Sequence, residues 1–275
     1  MFGPAKKEAA TGLPRDCTFA ADRWQALAQQ WHPIAAASVV SPGPVAATLL
    51  DERLVSWRGG DRVSVAKDLC IHRGAQLSPG TVKAGELICP YHGFRYSPGG
   101  ACVLAPCTGS AATALPAKLH LIMYGTAESS GLVWVRLASE GPPAPPDLGD
   151  FGTGAEVWSA AWKAPARLAV EGILDLARAG ESPEAPGWRV RTIGPFSGTI
   201  DGPGRTAFAI QPISRTACGL FLAGAAAPMA GKLLERLQPV VESLPATDGA
   251  SSEALLAGDL PVASYRQALI ALGLD

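Results

Sequence analysis

The stretch that decides the fold is residues 69–96, which begins Leu69-Cys70-Ile71-His72-Arg73-Gly74-Ala75 and ends Cys89-Pro90-Tyr91-His92-Gly93-Phe94-Arg95-Tyr96. A cysteine and a histidine stand together twice, first as Cys-x-His and then, after residues 73–88, as Cys-x-x-His. A glycine follows each pair closely. Because thiolates and imidazoles are both metal ligands, two short loops can present two cysteines and two histidines to one metal centre.

Two kinds of metal centre compete for this ligand set. In a Rieske [2Fe–2S] cluster, two cysteines hold one iron and two histidines hold the other. A tetrahedral zinc site accepts the same donors. Zinc fingers place the second pair as two like ligands on a compact helical unit, whereas each half here joins one cysteine to one histidine between strand-like segments. The pattern therefore predicts a Rieske cluster bound by Cys70, His72, Cys89 and His92, with structural zinc as the alternative.

Composition narrows the class of protein. The 275 residues leave room for two domains, each with its own core. A net charge of -1, from 23 basic and 24 acidic residues, gives no field that would attract nucleic acid or an anionic membrane. The first residues do not resemble a signal peptide, and no apolar run reaches the roughly 18 residues that a membrane helix requires. We expect a soluble, cytoplasmic protein.

The cysteines outside the predicted cluster do not suggest disulfides. Of the six cysteines, Cys17, Cys102, Cys107 and Cys218 show no framework spacing. Reduced thiols are the simpler interpretation of Cys102 and Cys107. Respiratory-chain Rieske proteins carry an additional, disulfide-bonded cysteine in each cluster loop, and its absence from both loops favours the oxygenase and ferredoxin type of cluster.

The N-terminal half reads as a lead-in with one helix followed by a small all-β domain. Asp22 is the expected N-cap of a helix over 23–30, and His32 at its end is expected to pack or cap rather than to bind metal. Strand-like runs cover 45–50, 54–58, 63–68, 86–89, 94–96, 121–124 and 132–137, with glycine turns at 58–61 and 97–100. This pattern favours a β-barrel or sandwich with the ligand pairs on loops at one end.

The proline-rich segment 141–149 cannot continue a helix or a strand and predicts a domain boundary. Strands are expected at 157–162, 188–193, 205–211 and 219–222, and helices at 167–178, 229–244 and 262–272, with Gly273 as the C-cap of the last helix. The predicted fold class is α+β in two domains. We assign residues 1–30 to the lead-in and helix, 31–140 to the Rieske domain, 141–149 to the linker and 150–275 to a reduced antiparallel sheet backed by helices.

In its order of motifs the chain resembles the α subunits of Rieske non-haem iron oxygenases, in the branch that includes vanillate and phenoxybenzoate-type demethylases. The resemblance rests on Trp31-His32-Pro33, the two cluster motifs, Gly131-Leu132-Val133-Trp134-Val135 and a later helix entered through Glu171. It implies a ferredoxin or flavin reductase as electron donor, and a homo-trimer or a hetero-oligomer with a catalytic subunit. In that family the second domain holds one ferrous ion with two histidines and a carboxylate, leaving positions open for oxygen.

The family's iron-binding helix has the pattern Asn or Asp, two residues, Asp, two residues, His, four residues, His. On this chain the resemblance places Gly172 first and Asp175 at the aspartate, and the histidine positions fall on Arg178 and Pro183. A guanidinium has no lone pair to offer, and proline has no side-chain ligand atom. Neither residue is therefore expected to bind iron.

No other residue restores the missing ligands. No histidine follows His120 in the sequence. The third ligand is expected near residues 236–242, where the aligned position is not acidic, although Glu235 and Glu242 lie within one helical turn of it. We therefore predict an intact [2Fe–2S] site and no mononuclear Fe(II).

Two residues of this helix have a second interpretation. In the family the aspartate bridges a cluster histidine of one subunit to an iron histidine of its neighbour, so Asp175 suggests a retained subunit interface; the alternative is an ordinary polar helix residue. Arg178 would place a fixed positive charge where the iron lies in the family. The alternative is that it caps the helix C-terminus and reaches solvent.

Three functions follow. The first is an electron-transfer protein or non-catalytic partner subunit of a Rieske oxygenase complex. The second is an active oxygenase, a hydroxylase or demethylase of a small aromatic substrate, whose iron is bound by non-histidine ligands such as Glu171, Asp175 and a cysteine. The third is a cluster-containing sensor without turnover.

Overall fold

The structure, a computed structural model, describes residues 12–106, 119–151, 156–178, 188–244 and 260–274, without the side chains of 176–178 and 260. The N-terminal half contains α1 (Ala21–Ala28), β1 (His32–Ala36), β2 (Val45–Leu49), β3 (Glu52–Gly59), β4 (Arg62–Lys67), β5 (Thr81–Lys83), β6 (Glu86–Ile88), β7 (Arg95–Tyr96), β8 (Cys102–Leu104), β9 (Gly125–Ser129) and β10 (Leu132–Arg136). In the described residues these strands form antiparallel sheets with the orders β1-β10-β9, β2-β3-β4 and β5-β6-β7-β8. The predicted all-β half is confirmed.

Both predicted glycine turns are present. Gly60 joins β3 to β4 with φ of 70°, and Gly100 follows β7 with φ of 82°. These angles lie in the left-handed region, which glycine enters without steric cost. At Gly100 the requirement is also spatial, because an added Cβ would lie 2.5 Å from Sδ of Met123.

The predicted strand at 121–124 is wrong. Only an isolated bridge between Met123 and Ala66 forms there. The reason is that the backbone bonds of this segment go to separate partners: Leu121 donates to Gly100, and Tyr124 donates to Val65. Strands β1, β5, β8 and β9 were not predicted, because they are short and their patterns of alternating polarity are weak.

The start of the first helix was also predicted wrongly. Helix α1 begins at Ala21 after Ala20, and no side chain caps it. Asp22 lies inside the first turn, where its carboxylate accepts the Arg23 N–H at 2.8 Å. Its negative charge interacts favourably with the positive N-terminal end of the helix dipole. Trp24 and Leu27 are buried and anchor the helix on the core.

The C-terminal half contains β11 (Val157–Trp162), α2 (Ala166–Arg178), β12 (Arg189–Gly194), β13 (Ser197–Asp201), β14 (Arg205–Ser214), β15 (Ala217–Ala223), α3 (Ala227–Ser243) and α4 (Leu260–Ala271). Its strands form one antiparallel sheet in the order β11-β15-β14-β13-β12 among the described residues. Gly273 has φ of 68° and ends α4, as predicted. The α+β class is confirmed, and β13 is the strand that the sequence analysis missed.

The two faces of the C-terminal sheet have different neighbours, because side chains alternate along each strand. Ala207, Ala209 and Phe221 pack against Trp134 of β10 and Leu148. Leu148 is fully buried although residues 141–149 form no helix or strand. The opposite face packs against the helices and includes Phe208, Ile210, Leu220 and Leu222.

Direct hydrogen bonds join the two halves of the chain. The backbone N–H groups of Leu50 and Asp51, in the turn after β2, donate to Pro212 and Ile213 at 2.8 Å each. The Gln211 amide donates to the Thr48 carbonyl at 2.7 Å. The N-terminal sheets are therefore fixed on the second sheet at the end of β14. No helix in the described part of the chain is long and apolar enough to cross a membrane.

Candidate metal centre

The two predicted ligand loops share one backbone design. In each loop the cysteine N–H donates to the carbonyl five residues later, from Cys70 to Ala75 at 2.7 Å and from Cys89 to Phe94 at 2.8 Å. The first loop follows β4, and the second joins β6 to β7. Each bond closes a tight loop that turns its middle residues outward. Because the hydrogen-bonded residues are five positions apart in both loops, the two segments form the same kind of backbone turn. This shared turn explains why they present the same kinds of ligand.

A glycine closes each loop from the other side. Gly74 donates its N–H to the Cys70 carbonyl at 2.8 Å, and Gly93 donates to the Cys89 carbonyl at 3.1 Å. Their φ angles are 72° and 69°. Any other residue would be strained in this left-handed conformation, so the glycine after each ligand pair is a requirement of the loop.

The histidine side chains of the two loops meet. The ring centroids of His72 and His92 are 4.8 Å apart in an edge-on arrangement. His72 also stacks on Phe94 at 4.6 Å, and Tyr91 lies against His92 at 3.7 Å. His92 is exposed and His72 is partly buried. The structure thus brings both predicted histidines to one edge of the N-terminal half, with His92 facing solvent.

One imidazole nitrogen at this edge lacks a partner. Nδ1 of His72 is buried and has no hydrogen-bond partner among the described residues. The pKa of His92 lies below its usual value, first through desolvation and then through the nearby positive charges of His72 and Arg73. Neutral imidazole is the form that binds metal. An orphaned ring nitrogen beside a neutral imidazole fits a pair of iron ligands.

The two cysteines lie deeper than the histidines. Cys70 and Cys89 are each 2 % exposed and belong to one hydrophobic cluster with Trp57, Leu87 and Tyr96. Burial is the main cause that raises the pKa of the Cys89 thiol, with the Cys70 side chain as a further cause. Burial thus favours the neutral thiol at this position, and a bound cation such as iron would stabilise the thiolate.

The pairing of ligands distinguishes the two metal centres. A structural zinc ion takes three or four protein ligands, whereas each iron of a Rieske cluster takes two. A buried cysteine pair beside a more exposed histidine pair fits the cluster better than zinc.

Two residues of this site were missed by the sequence analysis. The Tyr96 hydroxyl lies 3.2 Å from Sγ of Cys70. Asp68 is 2 % exposed, and its carboxylate accepts the N–H groups of Leu77 and Ser78 at 2.6 and 2.8 Å and the Ser78 hydroxyl at 2.7 Å. Asp68 thus ties together the two ends of the first ligand loop. Neither contact has a signal in the sequence, because both depend on how a loop folds back.

The remaining cysteines agree with the expectation of reduced thiols as far as they are described. Within the described residues Cys17, Cys102 and Cys218 form no disulfide, and Cys107 lies outside those residues. Cys218 is fully buried, and burial is the main cause that raises the pKa of its thiol to about 12. His32 is buried as well, and its Nε2 bonds the Leu27 carbonyl at 2.8 Å, so it caps the end of α1 as expected.

In the second half, the positions assigned to a mononuclear iron site are only partly described. Gly172 is close to α3, since an added Cβ would lie 2.7 Å from Cγ2 of Val241. Asp175 is exposed on α2. Arg178 is the last residue of α2 and its side chain is not described, and Pro183 lies outside the described residues. The predictions for Asp175, Arg178 and Pro183 therefore stay predictions.

The carboxylates near these positions already have partners. Glu171 is bound by Arg167 and Arg266. Glu242 accepts the Lys163 N–H and the Gln238 amide, each at 2.8 Å, and these two hydrogen bonds, with Gln238 first, lower its pKa. Glu235 is exposed. None of the three is oriented as a member of a shared metal site in the described structure.

Comparison with known proteins defines the first domain. Residues 30–118 match the family model of the Rieske [2Fe-2S] domain, and all four predicted ligands fall inside that range. The methylxanthine N1-demethylase NdmA of Pseudomonas putida is 39% identical over 125 residues, which cover 43% of this chain and 35% of NdmA. The oxygenase component of dicamba O-demethylase from Stenotrophomonas maltophilia is 36% identical over 123 residues, or 44% of this chain and 35% of that protein.

The fold likeness extends further than the sequence likeness. The structure of NdmA from P. putida CBB5 superposes with a TM-score of 0.74 over 90% of this chain and 91% of that chain, at 23% identity. The sequence matches with the curated relatives span only about a third of their length. The chain therefore shares the fold of NdmA over most of its length.

With its matched ligand loops and this superposition, the chain is a protein with an N-terminal Rieske [2Fe–2S] domain followed by an α+β domain. Over the matched stretch of about 120 residues it is homologous to Rieske oxygenase components, in agreement with the resemblance that the sequence motifs suggested.

Proposed function

We propose that this chain is an electron-transfer component of a Rieske oxygenase system and does not activate oxygen itself. The observation that carries the proposal is that no histidine follows His120. An oxygenase-type ferrous site requires two histidines and a carboxylate from the second domain. The aligned positions hold Arg178 and Pro183 instead, neither of which supplies a ligand to Fe(II).

We assign the cluster ligands to Cys70 and Cys89 for one iron and to His72 and His92 for the other. A [2Fe–2S] cluster, when bound, stores one electron. Cys70 and Cys89 exclude water from their side of the site, because both are buried among apolar residues. His92 provides the solvent-facing edge through which an electron enters or leaves.

The same exposed edge indicates where the redox partners bind. A ferredoxin or flavin reductase, in the cytoplasm, reaches the cluster at His92 and Tyr91, whose side chains lie in contact and are exposed. The acceptor is a homologue that retains both iron-binding histidines, and this chain reaches it either within a hetero-oligomer or as a separate homo-trimer. The exposed position of Asp175 on α2 supports its role at such an interface.

The second domain acts in this proposal as a scaffold. Its sheet packs directly on β10 through Trp134, and the turn after β2 bonds to β14. These contacts hold the Rieske domain at a fixed position. A rigid carrier suits electron transfer between subunits, because the distance between donor and acceptor then does not depend on domain motion.

A second candidate is an active oxygenase, and the comparisons favour it, because NdmA and the dicamba enzyme are demethylases. It requires iron ligands other than histidine. Glu171 is a poor candidate, since two arginines already bind its carboxylate, and Cys218 is enclosed in the core with a raised pKa. A third candidate, a cluster-containing sensor, shares the [2Fe–2S] site but has no electron acceptor.

Coulometric titration of the anaerobic, cluster-loaded protein tests the proposal. An electron carrier takes up one electron per chain, and nitric oxide added to the reduced protein gives no ferrous-nitrosyl signal in electron paramagnetic resonance. Two electrons per chain together with that signal would establish a ferrous site and the oxygenase alternative. Oxidation of the reduced protein by a histidine-retaining homologue, in the absence of mediators, distinguishes a carrier from a sensor.

A further inference from the structure

A cavity of about 420 Å³ lies between the two halves of the chain, and none of the four predicted cluster ligands lines it. Its walls come from β1, β2 and β3, from residues that flank the first ligand loop, and from β14. Pockets that bind small molecules typically enclose roughly 300–1,000 Å³ and often lie between domains. The cavity therefore has the size and the position of a ligand site, and the proposed electron transfer makes no use of it.

Three polar side chains form one row at the wall of this cavity. Thr48 of β2 is the cross-strand neighbour of Arg53 on β3, and the Asp68 N–H, just after β4, donates to the Arg53 carbonyl at 2.8 Å. Residues directly opposite each other on antiparallel strands point to the same face of a sheet. The pairing therefore brings Thr48, Arg53 and Asp68 together at one end of the β2-β3-β4 sheet, and all three line the cavity.

Arg53 and Asp68 differ in what their charged groups contact. The Asp68 carboxylate already accepts three hydrogen bonds, from Leu77 and Ser78. The Arg53 side chain is exposed, and in the described part of the chain it makes no hydrogen bond or ion pair. A guanidinium presents five N–H donors in a planar fork that matches a carboxylate. The cavity thus offers a cation whose donors are available to an anionic ligand.

The rest of the lining combines apolar and uncharged polar groups. Ile34 of β1 and Ile213 of β14 supply apolar side chains, and Gln76 supplies an amide. Among the described residues that line the cavity, Arg53 is the only cation. An apolar wall beside a single guanidinium fits a small organic carboxylate, whose apolar part covers the isoleucines while its charged end reaches the arginine.

We propose that this cavity binds a small organic carboxylate, with Arg53 as the cationic partner and with Ile34 and Ile213 as the apolar wall. Both halves of the chain contribute to the site, because the Gln211 amide, which also lines the cavity, donates to the Thr48 carbonyl at 2.7 Å. The proposal is independent of whether the second domain holds iron, since none of the predicted iron positions lines the cavity.

Calorimetric titration of the cluster-loaded protein with benzoate tests the site. We expect saturable binding of one benzoate per chain, with a Kd in the millimolar range or tighter. Benzamide has nearly the same shape without the charge and should bind at least about tenfold more weakly, because it cannot form a charge-assisted pair with a guanidinium. Formate has the charge without the apolar body and should also bind about tenfold more weakly or worse.

Variants of the lining locate the binding site. Arg53→Met should weaken benzoate binding by about tenfold or more. Arg62→Met is the matched control, because Arg62 is an exposed arginine of β4 that does not line the cavity, and its loss should change the Kd less than about twofold. Ala46→Trp places a large side chain at an exposed position of the wall and should weaken benzoate binding by filling the cavity.

The proposal is refuted if benzoate binding does not saturate, or if Arg53→Met binds benzoate as tightly as Arg62→Met. Equal affinities for benzoate and benzamide, or for benzoate and formate, would also overturn it, since the charge or the apolar wall would then contribute nothing. The ligand series on the wild-type protein decides the proposal even if a variant does not retain its cluster. Iron content reports separately on the proposed function.

Discussion

The phenol oxygen of Tyr96 lies 3.2 Å from Sγ of Cys70, and both residues are buried in one apolar cluster. When Cys70 is a thiolate, the tyrosine hydroxyl is the donor of this hydrogen bond. Burial first, and the neighbouring Cys70 next, hold the pKa of Tyr96 above its usual value, so the hydroxyl keeps its proton. The contact therefore links a residue outside the ligand set to the electron affinity of the cluster.

We predict that Tyr96→Phe lowers the reduction potential. The hydrogen bond stabilises the reduced state more than the oxidised state, because reduction adds negative charge near the sulfur. A differential of about 1 kcal/mol corresponds to a decrease on the order of 50 mV for a one-electron couple. Protein-film voltammetry measures it, and Tyr124→Phe, which alters a buried tyrosine of the other hydrophobic cluster, is the control. An unchanged potential would show that the contact carries no electronic effect.

The Asp68 carboxylate should determine how firmly the first ligand loop holds its metal. Asp68→Ala removes the acceptor of two N–H groups and one hydroxyl, and we expect roughly tenfold faster loss of the visible cluster absorbance in chelator, since stranded buried donors cost about 1–3 kcal/mol. Asp68→Asn keeps one acceptor oxygen for the N–H groups and should lose absorbance more slowly than Asp68→Ala. Equal rates for the two variants would contradict this role.

Stability at acid pH should depend on His32. Burial lowers the pKa of His32 to about 4, while the unfolded chain retains an ordinary value near 6.5. The unfolded state therefore binds more protons as the pH falls from 6.5 towards 4, and stability is lost over that window. Between pH 7.5 and 5.5 the wild type should lose about 1 kcal/mol more unfolding free energy than His32→Gln.

Both the wild type and His32→Gln contain the cluster, so effects of acid on the cluster cancel when the two are compared. Chemical denaturation followed by far-ultraviolet circular dichroism at the two pH values provides the free energies. Parallel pH dependence of wild type and His32→Gln would show that His32 titrates normally in the folded state.

Close packing of α2 on α3 gives a prediction opposite to that from helix propensity. Alanine is normally about 1 kcal/mol better than glycine inside a helix. At Gly172, however, an added Cβ would lie 2.7 Å from Cγ2 of Val241, so we expect Gly172→Ala to destabilise the protein by about 1 kcal/mol. In the background of Val241→Ala the same change should instead stabilise, as thermal melting of the four proteins would show. A higher melting temperature for Gly172→Ala alone would mean that the two helices separate easily.

The sequence predicted the ligand loops better than any other feature, because a Cys-x-His and a Cys-x-x-His motif followed by glycine restrict both chemistry and backbone. Most strands around them were also predicted, since their apolar residues are contiguous and turn residues flank them. The short strands β5 and β8 were not, because three residues give too little periodicity. The segment 121–124 has the composition of a strand but divides its hydrogen bonds between different partners.

Tertiary contacts between residues far apart in the chain could not be predicted from the sequence. Tyr96 contacts Cys70, and Arg266 contacts Glu171, across separate elements of the fold. Nothing in the local sequence around either residue indicates its partner. The N-terminus of α1 was misplaced because an aspartate is a good N-cap, yet here the burial of Trp24 and Leu27 determines where the helix lies. The Gly172–Val241 contact likewise depends on how α2 and α3 cross.

The central claim is that the chain contains a [2Fe–2S] cluster and no mononuclear iron. The most direct test is the amount of iron and acid-labile sulfide per chain, measured after anaerobic reconstitution and removal of loosely bound metal. We predict two irons and two sulfides. A reproducible third iron without additional sulfide would contradict the claim, as would a colourless protein that contains zinc.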